Sequence, residues 1–245
     1  MFDPENPRYS RILRFVGEAG LNRLHASRVV VVGLGAVGSY SVEGLARAGV
    51  GHLRLVDFDL IAPSNINRQL YALHSTIGKN KTDIAEERIL DINPACTVNK
   101  YCTFFSEETA ELFDFTKYDY IIDCIDTVSS KILLVMKAKE AGVPIISSMG
   151  AGNKIRPELL EVSDIFKTKV CPLARIMRRE LKQRGIKKLK VVYSTETPVT
   201  PQIQADSEMK GNSFAPGSCC FVPPAAGLLI AREAVCDITG AFSSM

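Results

Sequence analysis

The chain has 245 residues, of which 46% are hydrophobic and 23% are charged, and its formal net charge is +3. This composition excludes an intrinsically disordered or membrane-embedded protein, and the length suffices for one large α/β domain with an ample core. The charge is uneven, because residues 167–190 carry ten Lys or Arg and one acid, while the remainder has 20 basic and 26 acidic residues. The protein is therefore expected to be a mildly acidic body with one basic element.

Predicted strands and helices alternate along the first 150 residues. Apolar runs rich in Val and Ile predict strands near 29–33, 52–57, 97–102, 119–124 and 144–148. Helical patterns lie near 18–25, 36–48, 80–91, 107–113 and 128–141. This alternation predicts an α/β fold in which residues 1–150 form a Rossmann-like core around a doubly wound, mostly parallel sheet.

The pattern loosens after Gly150. Residues 167–185 are predicted to form a helix and 190–193 a strand, whereas 194–216 are polar and rich in Pro, Gly and Ser. Such a long loop in a compact domain is usually functional. We expect residues 151–245 to be a substrate-binding extension with a basic helix and a long loop, so that residues 1–245 form a single domain.

The first predicted strand ends in a G-x-G-x-x-G turn formed by Gly33, Gly35 and Gly38. Glycines let the backbone turn sharply and approach a phosphate closely, and the following helix directs its N-terminal N–H groups at that anion. Asp57 lies 19 residues beyond Gly38, after the second predicted strand. A carboxylate at that spacing hydrogen-bonds ribose hydroxyls, so the pattern predicts a nucleotide site.

The segment after the second strand favours ATP over a dinucleotide. Its candidate ligand residues are Asp59, Asn65, Asn67, Arg68, Gln69, Lys79 and Lys81. A guanidinium grips phosphate oxygens bidentately, and a lysine acts as a mobile point charge. Cations at a helix N-terminus oppose the helix dipole, so an anionic partner best explains at least one of the two lysines. We therefore place Arg68 and Lys81 on a triphosphate, with Lys79 as a lesser candidate.

Two acids, Asp123 and Asp126, lie at the end of the fourth predicted strand. Asp126 falls at the carboxyl edge of the sheet, where it can hold Mg²⁺ against phosphates. Asp123 lies among apolar residues, and two alternatives stay open for it: a role in the site, or only a capping or packing role.

In order, the motifs G-x-G-x-x-G, D-F-D, S-N-x-N-R-Q, G-x-x-K and D-x-x-D resemble the ubiquitin-activating (E1-like) superfamily over roughly residues 8–165. Its members, which include the adenylyltransferases of molybdopterin and thiamine biosynthesis, adenylate a carboxylate with ATP and Mg²⁺. The resemblance implies an E1-like adenylation fold, catalysis by Arg68, Lys81 and Asp126, and Mg²⁺ bound by Asp126. It also implies nucleotide contacts from Gly33, Gly35, Gly38, Asp57, Asp59, Asn65, Arg68, Gln69 and Lys81.

The segment R-Y-S-R at residues 8–11 resembles an N-terminal element of this superfamily. Its arginine reaches the triphosphate of the partner subunit. Arg11 is therefore a candidate catalytic residue, and the resemblance implies a homodimer.

Departures from the superfamily pattern indicate the branch. The chain has none of the C-x-x-C pairs that bind structural zinc in the sulfur-carrier adenylyltransferases, so no structural zinc is expected. Further motifs are G-A-G at 150–152, P-L-A-R at 172–175, V-Y-S-T-E at 192–196 and F-V-P-P at 221–224. Together with the length and the basic helix, they are similar to the tRNA threonylcarbamoyladenosine dehydratases. These enzymes cyclise the threonylcarbamoyl group on the adenosine next to the anticodon.

Two other functions remain open. One is an adenylyltransferase that activates the C-terminus of a sulfur-carrier or ubiquitin-like protein, with a sulfur-transfer protein as its partner. The other is an NAD-linked or non-enzymatic Rossmann protein, which leaves Asn65, Arg68 and Lys81 unexplained.

The predicted basic helix favours an RNA substrate. Lys and Arg that neutralise phosphates dominate affinity for nucleic acids, and a clustered patch is their footprint. Four residues recur at three- and four-residue spacing and are predicted to share one face: Arg175, Arg178, Arg179 and Lys182. The same face would also suit an acidic protein partner.

The cysteines give no evidence of a disulfide framework. Seven are scattered along the chain, and the N-terminus lacks a secretory pattern, so reduced thiols and a cytoplasmic location are expected. Cys171 precedes the basic helix and is a possible reactive thiol beside cationic residues, although the ring closure requires no thiol. The apolar stretch 219–230 is too short to span a bilayer and is predicted to be a helix on the sheet, without membrane contact.

Overall fold

A seven-stranded sheet runs through the protein in a computed structural model that describes residues 3, 5–200, 202, 209–210, 213–214 and 216–241. Its strands are β1 Arg28–Val32, β2 His52–Val56, β3 Thr97–Tyr101, β4 Tyr120–Asp123, β5 Ile145–Ser148, β6 Leu160–Asp164 and β7 Lys190–Ser194. A separate antiparallel pair consists of β8 Met209–Lys210 and β9 Ser213–Phe214.

The strand order of the sheet is β3-β2-β1-β4-β5-β7-β6, and every neighbouring pair is parallel except β6 with β7. From β1 the chain proceeds outward to β2 and β3, and it then returns to the other side of β1 to form β4. Ligands bind at the carboxyl ends of strands where the winding reverses in this way. The predicted doubly wound, mostly parallel sheet is confirmed.

The helices cover both faces of the sheet. They are α1 Leu13–Ala26, α2 Gly38–Ala48, α3 Lys81–Ile92, α4 Glu107–Ala110, α5 Val128–Glu140, α6 Pro172–Gln183 and α7 Val222–Thr239. Val29 and Val31 of β1 pack in one core with α1, α2, α3 and α7, whereas Val30 and Val32 pack in a second core with α4, α5 and α6. A strand buried on both faces explains the uninterrupted apolar run in the sequence.

The observed elements differ from the predicted ones mainly after Gly150. The sequence does not predict β6, whose first four residues alternate apolar and polar because only one face of this edge strand meets the core. The basic helix begins at Pro172 rather than at residue 167, since residues 165–167 form a 3₁₀ turn and proline suits the first helical position. The apolar stretch from residue 219 contributes to α7, which packs against α2.

Part of the predicted long loop falls outside the described residues, namely 201, 203–208, 211–212 and 215. Among the helices that the structure describes, none combines the length and apolar character needed to cross a bilayer.

Candidate active site

A cavity of about 1040 Å³ opens at the carboxyl ends of β1, β2 and β4. It lies where the winding of the sheet reverses, as expected for a ligand site in this fold. The structure brings together in its wall the following predicted residues: Gly33, Gly35, Asp57, Asp59, Asn65, Arg68, Gln69, Lys81 and Asp126.

The glycines of the turn have different surroundings. Gly33 has φ +91°, and a Cβ there would lie 2.6 Å from the carbonyl oxygen of Cys124. A Cβ at Gly38, where α2 begins, would collide with the carbonyl of Gly33. At Gly35 the nearest atom to such a Cβ is Nε2 of Gln69, 3.9 Å away, so this position is open toward the cavity. The first and third glycines therefore permit the turn, and the second leaves room for a close ligand.

Two acids and a lysine form a linked group at the end of β2. Asp57 accepts hydrogen bonds from the backbone N–H of Leu34 (2.6 Å) and of Asp59 (2.9 Å). Lys81 Nζ lies 2.6 Å from Oδ2 of Asp59 and 3.7 Å from Oδ1 of Asp57. Burial raises the pKa of Asp57, opposed by the charge of Lys81 and the two backbone donors. The lysine thus lies at the first turn of α3 with its charge directed at the β2 acids.

The loop after β2 positions the predicted phosphate residues. Nη1 of Arg68 donates to the carbonyl of Ser64 (2.8 Å) and to Oδ1 of Asn67 (2.7 Å), which fixes the guanidinium at the cavity wall. Asn65 instead accepts from the backbone N–H of Ala62 (3.1 Å) and so stabilises the turn itself. Fixed guanidinium and backbone groups suit recognition of an anion.

Aromatic side chains in the cavity wall were not predicted from the sequence. Phe58 follows Asp57, and Phe104 follows β3; their rings meet edge to face with centroids 5.2 Å apart. Both are large apolar side chains with substantial exposure, 57% and 40%. Aromatic faces stack on nucleobases. The position of Phe104 could be predicted from the sequence, because the carboxyl end of β3 lies beside that of β2 in a parallel sheet.

The opposite wall of the cavity comes from the C-terminal extension. Ala151 and Gly152 line it together with residues 216–218. Asn153 pairs with Gly217 through its backbone N–H (2.7 Å) and its Oδ1 (2.6 Å), and Asn67 donates to the carbonyl of Ser218 (3.0 Å). These contacts join the extension to the phosphate loop, which the sequence pattern did not indicate.

The acid that ends β4, Asp123, and the acid three residues later, Asp126, have separate environments. Asp126 is exposed at the cavity, where its Oδ1 accepts from the hydroxyl of Thr127 (3.3 Å). Asp123 has no exposed surface and is paired with Lys131 of α5 at 2.9 Å. Of the two alternatives left open for Asp123, the structure favours a packing role.

The residues present fit Mg²⁺ only as a companion of phosphates. Among the described residues, no three His, Cys, Asp or Glu side chains form a cluster that could hold a metal by themselves. Mg²⁺ is commonly bound by one or two carboxylates together with substrate phosphates and water. Asp126 at the cavity supplies one such carboxylate.

Several predicted residues lie outside this cavity, and Gly38 at the start of α2 is one of them. Arg11 is exposed near the start of α1, and Lys79 is exposed in the turn before α3. On α6, Arg175, Arg179 and Lys182 are exposed. Arg178 differs from them, because its guanidinium donates to the carbonyl (2.9 Å) and the hydroxyl of Thr168 and is half-buried.

Cys171 is buried at the N-cap of α6, with 1% of its surface exposed. A Cβ at Gly150 would lie 3.6 Å from its sulfur. The thiol therefore lies behind the wall formed by Ala151 and Gly152 rather than in the cavity.

The chain is similar in sequence and structure to known proteins. The model of the ThiF family matches residues 9–185. Over 239 residues the chain is 42% identical to the tRNA threonylcarbamoyladenosine dehydratase of Bacillus subtilis (strain 168), and the match covers 94% of each protein. The crystal structure of E. coli tRNA N6-threonylcarbamoyladenosine dehydratase in complex with ATP matches with a TM-score of 0.88 at 31% identity, over 98% of this chain and 96% of that chain.

A match to an adenylyltransferase is shorter. The adenylyltransferase and sulfurtransferase UBA4 of Eremothecium gossypii is 36% identical over 155 residues, which covers 61% of this chain and 34% of that relative.

Proposed function

The chain belongs to the ThiF family, and we propose that it is an ATP-dependent tRNA threonylcarbamoyladenosine dehydratase. The observation that carries the proposal is the convergence of Gly35, Asp57, Arg68 and Lys81 on one cavity at the winding reversal of the sheet. A nicotinamide-dependent enzyme would use the first two but not the two cations. The match to a dehydratase over 94% of the chain favours a tRNA substrate over a carrier protein, for which the match covers 61%.

The reaction begins with activation of a carboxylate. A free carboxylate is a poor electrophile because its oxygen cannot leave. Attack of the threonylcarbamoyl carboxylate on the α-phosphate of ATP forms an acyl-adenylate and releases pyrophosphate. The carbamoyl group of the same modified base then attacks the acyl carbon, closes a five-membered ring and expels AMP. The ring closure is intramolecular and has a high effective concentration, so the protein has to supply little nucleophilic catalysis.

The cavity residues would then act mainly through charge. Asp57 accepts from the ribose hydroxyls, while Phe58 and Phe104 offer aromatic surfaces to the adenine. Arg68 and Lys81 stabilise the charge that develops on the phosphates. Lys81 is held at the cavity by its contact with Asp59. Because Asp59 is the more exposed residue of this pair, phosphate oxygens can compete with it for Lys81. Asp126 would hold Mg²⁺ together with the phosphates, and the bound metal would supply further positive charge.

The position of α6 supports a tRNA that approaches from the basic helix. Leu173 in its first turn lies near Gly150, so the helix starts directly behind the cavity wall. Arg175, Arg179 and Lys182 are the exposed cations of this face. If the RNA backbone lies along α6, an adjoining loop of the tRNA would reach the cavity.

We further propose a homodimer in which Arg11 completes the site of the partner. Arg11 is exposed and does not line the cavity of its own chain, so it is available to a second copy. Mixing Arg11→Ala with Arg68→Ala protein should restore part of the activity that each loses alone. If the mixture is no more active than its components, Arg11 does not act across a dimer.

The decisive test is mass analysis of nucleosides from threonylcarbamoylated tRNA after incubation with the protein and Mg-ATP. We expect the modified adenosine to lose one water, with one AMP and one pyrophosphate formed per event. Omission of ATP and the Arg68→Ala variant are the controls. An unchanged nucleoside together with adenylation of a sulfur-carrier C-terminus would instead support the function of a carrier-protein adenylyltransferase.

The salt dependence of tRNA binding tests the basic face separately. Replacing Arg175, Arg179 and Lys182 with alanine should weaken binding and lower the slope of log affinity against log salt by about 0.7–0.9 for each lost phosphate contact. ATP affinity should not change. The matched control replaces three exposed cations at the amino edge of the sheet: Arg28, Lys117 and Lys139. Equal effects of the two triple variants would contradict RNA binding by α6.

A further inference from the structure

A buried ion pair lies beneath the segment that carries Asp126. Nζ of Lys131 is 2.9 Å from Oδ2 of Asp123, and neither side chain has any exposed surface. The hydroxyl of Ser147 donates to the same carboxylate oxygen. Desolvation of two such charges offsets much of their attraction, so an enclosed pair is a weak source of stability compared with apolar packing. The location of the pair therefore points to a role in placing its neighbours.

The pair hydrogen-bonds the backbone N–H and carbonyl of Ile125, the residue directly before Asp126. The N–H of Ile125 donates to Oδ1 of Asp123 at 3.1 Å, and its carbonyl accepts from Nζ of Lys131 at 3.1 Å. The carbonyl of Ile125 and the N–H of Asp126 belong to one planar peptide group. Fixing that carbonyl therefore fixes the direction in which the chain enters Asp126.

The glycine turn confines the same segment from the other side. The carbonyl of Cys124 lies so near Gly33 that a Cβ there would be only 2.6 Å away. Cys124, Ile125 and Asp126 all border the cavity. The segment is thus held between the turn of β1 and the buried pair, with Asp126 at its exposed end.

We propose that Lys131, together with Asp123, is a positioning residue that orients Asp126 toward the cation accompanying the ATP phosphates. Lys131 is sealed from the cavity and acts only through the peptide of Ile125. This role rests on the proposed function, because it takes Asp126 as the acid that meets Mg²⁺. It extends the site to two residues of which neither touches a ligand.

The test uses the double variant Asp123→Asn/Lys131→Met. It removes both buried charges, keeps an oxygen for the N–H of Ile125, and removes the donor to the Ile125 carbonyl. ATP affinity is measured by calorimetry over a range of Mg²⁺ concentrations. We expect the affinity for metal-free ATP to stay within about twofold of the wild-type value. The Mg²⁺ concentration that gives half of the full increase in ATP affinity should rise about 10–100-fold, as for other residues that orient metal ligands. Lys139→Met, an exposed lysine on the same helix, is the matched control and should leave the Mg²⁺ requirement unchanged.

The outcomes separate the two proposals. An unchanged Mg²⁺ requirement in the folded double variant overturns the positioning role. A wild-type protein whose ATP affinity ignores Mg²⁺ instead refutes the proposed role of Asp126, and the positioning role falls with it. If the double variant does not fold, Ser147→Ala loosens Asp123 while keeping both charges. It should raise the Mg²⁺ requirement to a smaller extent, and no rise in that variant also overturns the positioning role.

Discussion

Two lysine–aspartate pairs lie at the carboxyl edge of the sheet and differ in their access to water. At the end of β2, Lys81 is 4% exposed, but its partner Asp59 is 46% exposed. At the end of β4, Lys131 and Asp123 are both fully enclosed. The same two residue types form one pair that borders the cavity and one that is sealed beneath it.

The difference shows which pair can bind a ligand. A pair with one solvated partner can exchange that partner for a phosphate, because water solvates the carboxylate that is released. A sealed pair cannot be separated in this way, since each charge would remain in the protein interior. The exposure of the partner, rather than the residue type, therefore separates ligand binding from architecture here.

Breaking the sealed pair should have the largest effect on stability. Lys131→Met leaves the charge of Asp123 buried without its partner, and we expect the free energy of unfolding to fall by about 3–5 kcal/mol. Urea denaturation measures this change. Adding Asp123→Asn to the same protein should recover most of the loss, because no unpaired charge remains. A loss below about 1 kcal/mol in the single variant would show that water reaches this pair.

Breaking the pair at the cavity should instead affect catalysis. Lys81→Met should lower the rate of AMP formation about 100–1000-fold, the range seen when one donor to a developing charge is removed. The free energy of unfolding should fall less than in Lys131→Met, because Asp59 is solvated and the buried Asp57 keeps its two backbone donors. The comparison fails if Lys81→Met destabilises the protein as strongly as Lys131→Met.

Sequence patterns predict a role for one of these pairs and not for the other. A nucleotide site is predicted at Asp57, Asp59 and Lys81, because strand ends, a glycine turn and charged residues follow in a recognisable order. The pattern leaves Asp123 ambiguous and does not single out Lys131, since a lysine inside a helical pattern is usually exposed. Burial is a tertiary property, and local periodicity does not report it.

The same limit explains the other omissions. Phe104 borders the cavity because β3 pairs with β2, and Gly152 does so because residues 216–218 return to it. Both are contacts between distant parts of the chain. Spacing groups Arg178 with its helical neighbours, but its contact with Thr168 depends on the turn before α6. The fold class, in contrast, follows from an alternation that extends over 150 residues.

The two acids beside Lys81 should differ in their effect on nucleotide binding. Asp57 is 7% exposed and accepts two backbone hydrogen bonds, so its position is fixed. Asp57→Ala should weaken ATP binding by about 1–3 kcal/mol, since hydrogen-bonding groups are left without a partner. Asp59→Ala is the matched control and should weaken it less, because it removes the competitor of the phosphates for Lys81. Calorimetry compares the two, and an equal loss would contradict the assignment of the ribose to Asp57.

The smallest expected effect is a pH dependence that arises from Asp57. Burial raises its pKa above the ordinary value of 3.8, against the opposing influence of Lys81 and two backbone donors. In the window between 3.8 and the raised value, the folded protein therefore holds a proton that the unfolded chain has released. The contribution of Asp57 to stability is then present below pH 3.8 and is lost as the pH rises through the raised pKa.

Glu43 provides a contrast within the same protein. Burial alone would raise its pKa, but hydrogen bonds from Arg88 and Arg47 lower it below the ordinary value of 4.5. The sign is reversed: Glu43 stabilises the fold above pH 4.5, and this contribution is lost as the pH falls through the lowered pKa.

Urea denaturation between pH 3 and 7 should show that the stability of wild type relative to Asp57→Asn declines as the pH rises. Relative to Glu43→Gln it should increase over the same range. ATP affinity of the wild type should rise as Asp57 ionises, because the ribose site needs the carboxylate as an acceptor. If the two stability differences change in the same direction, Asp57 is not the buried acid that this structure describes.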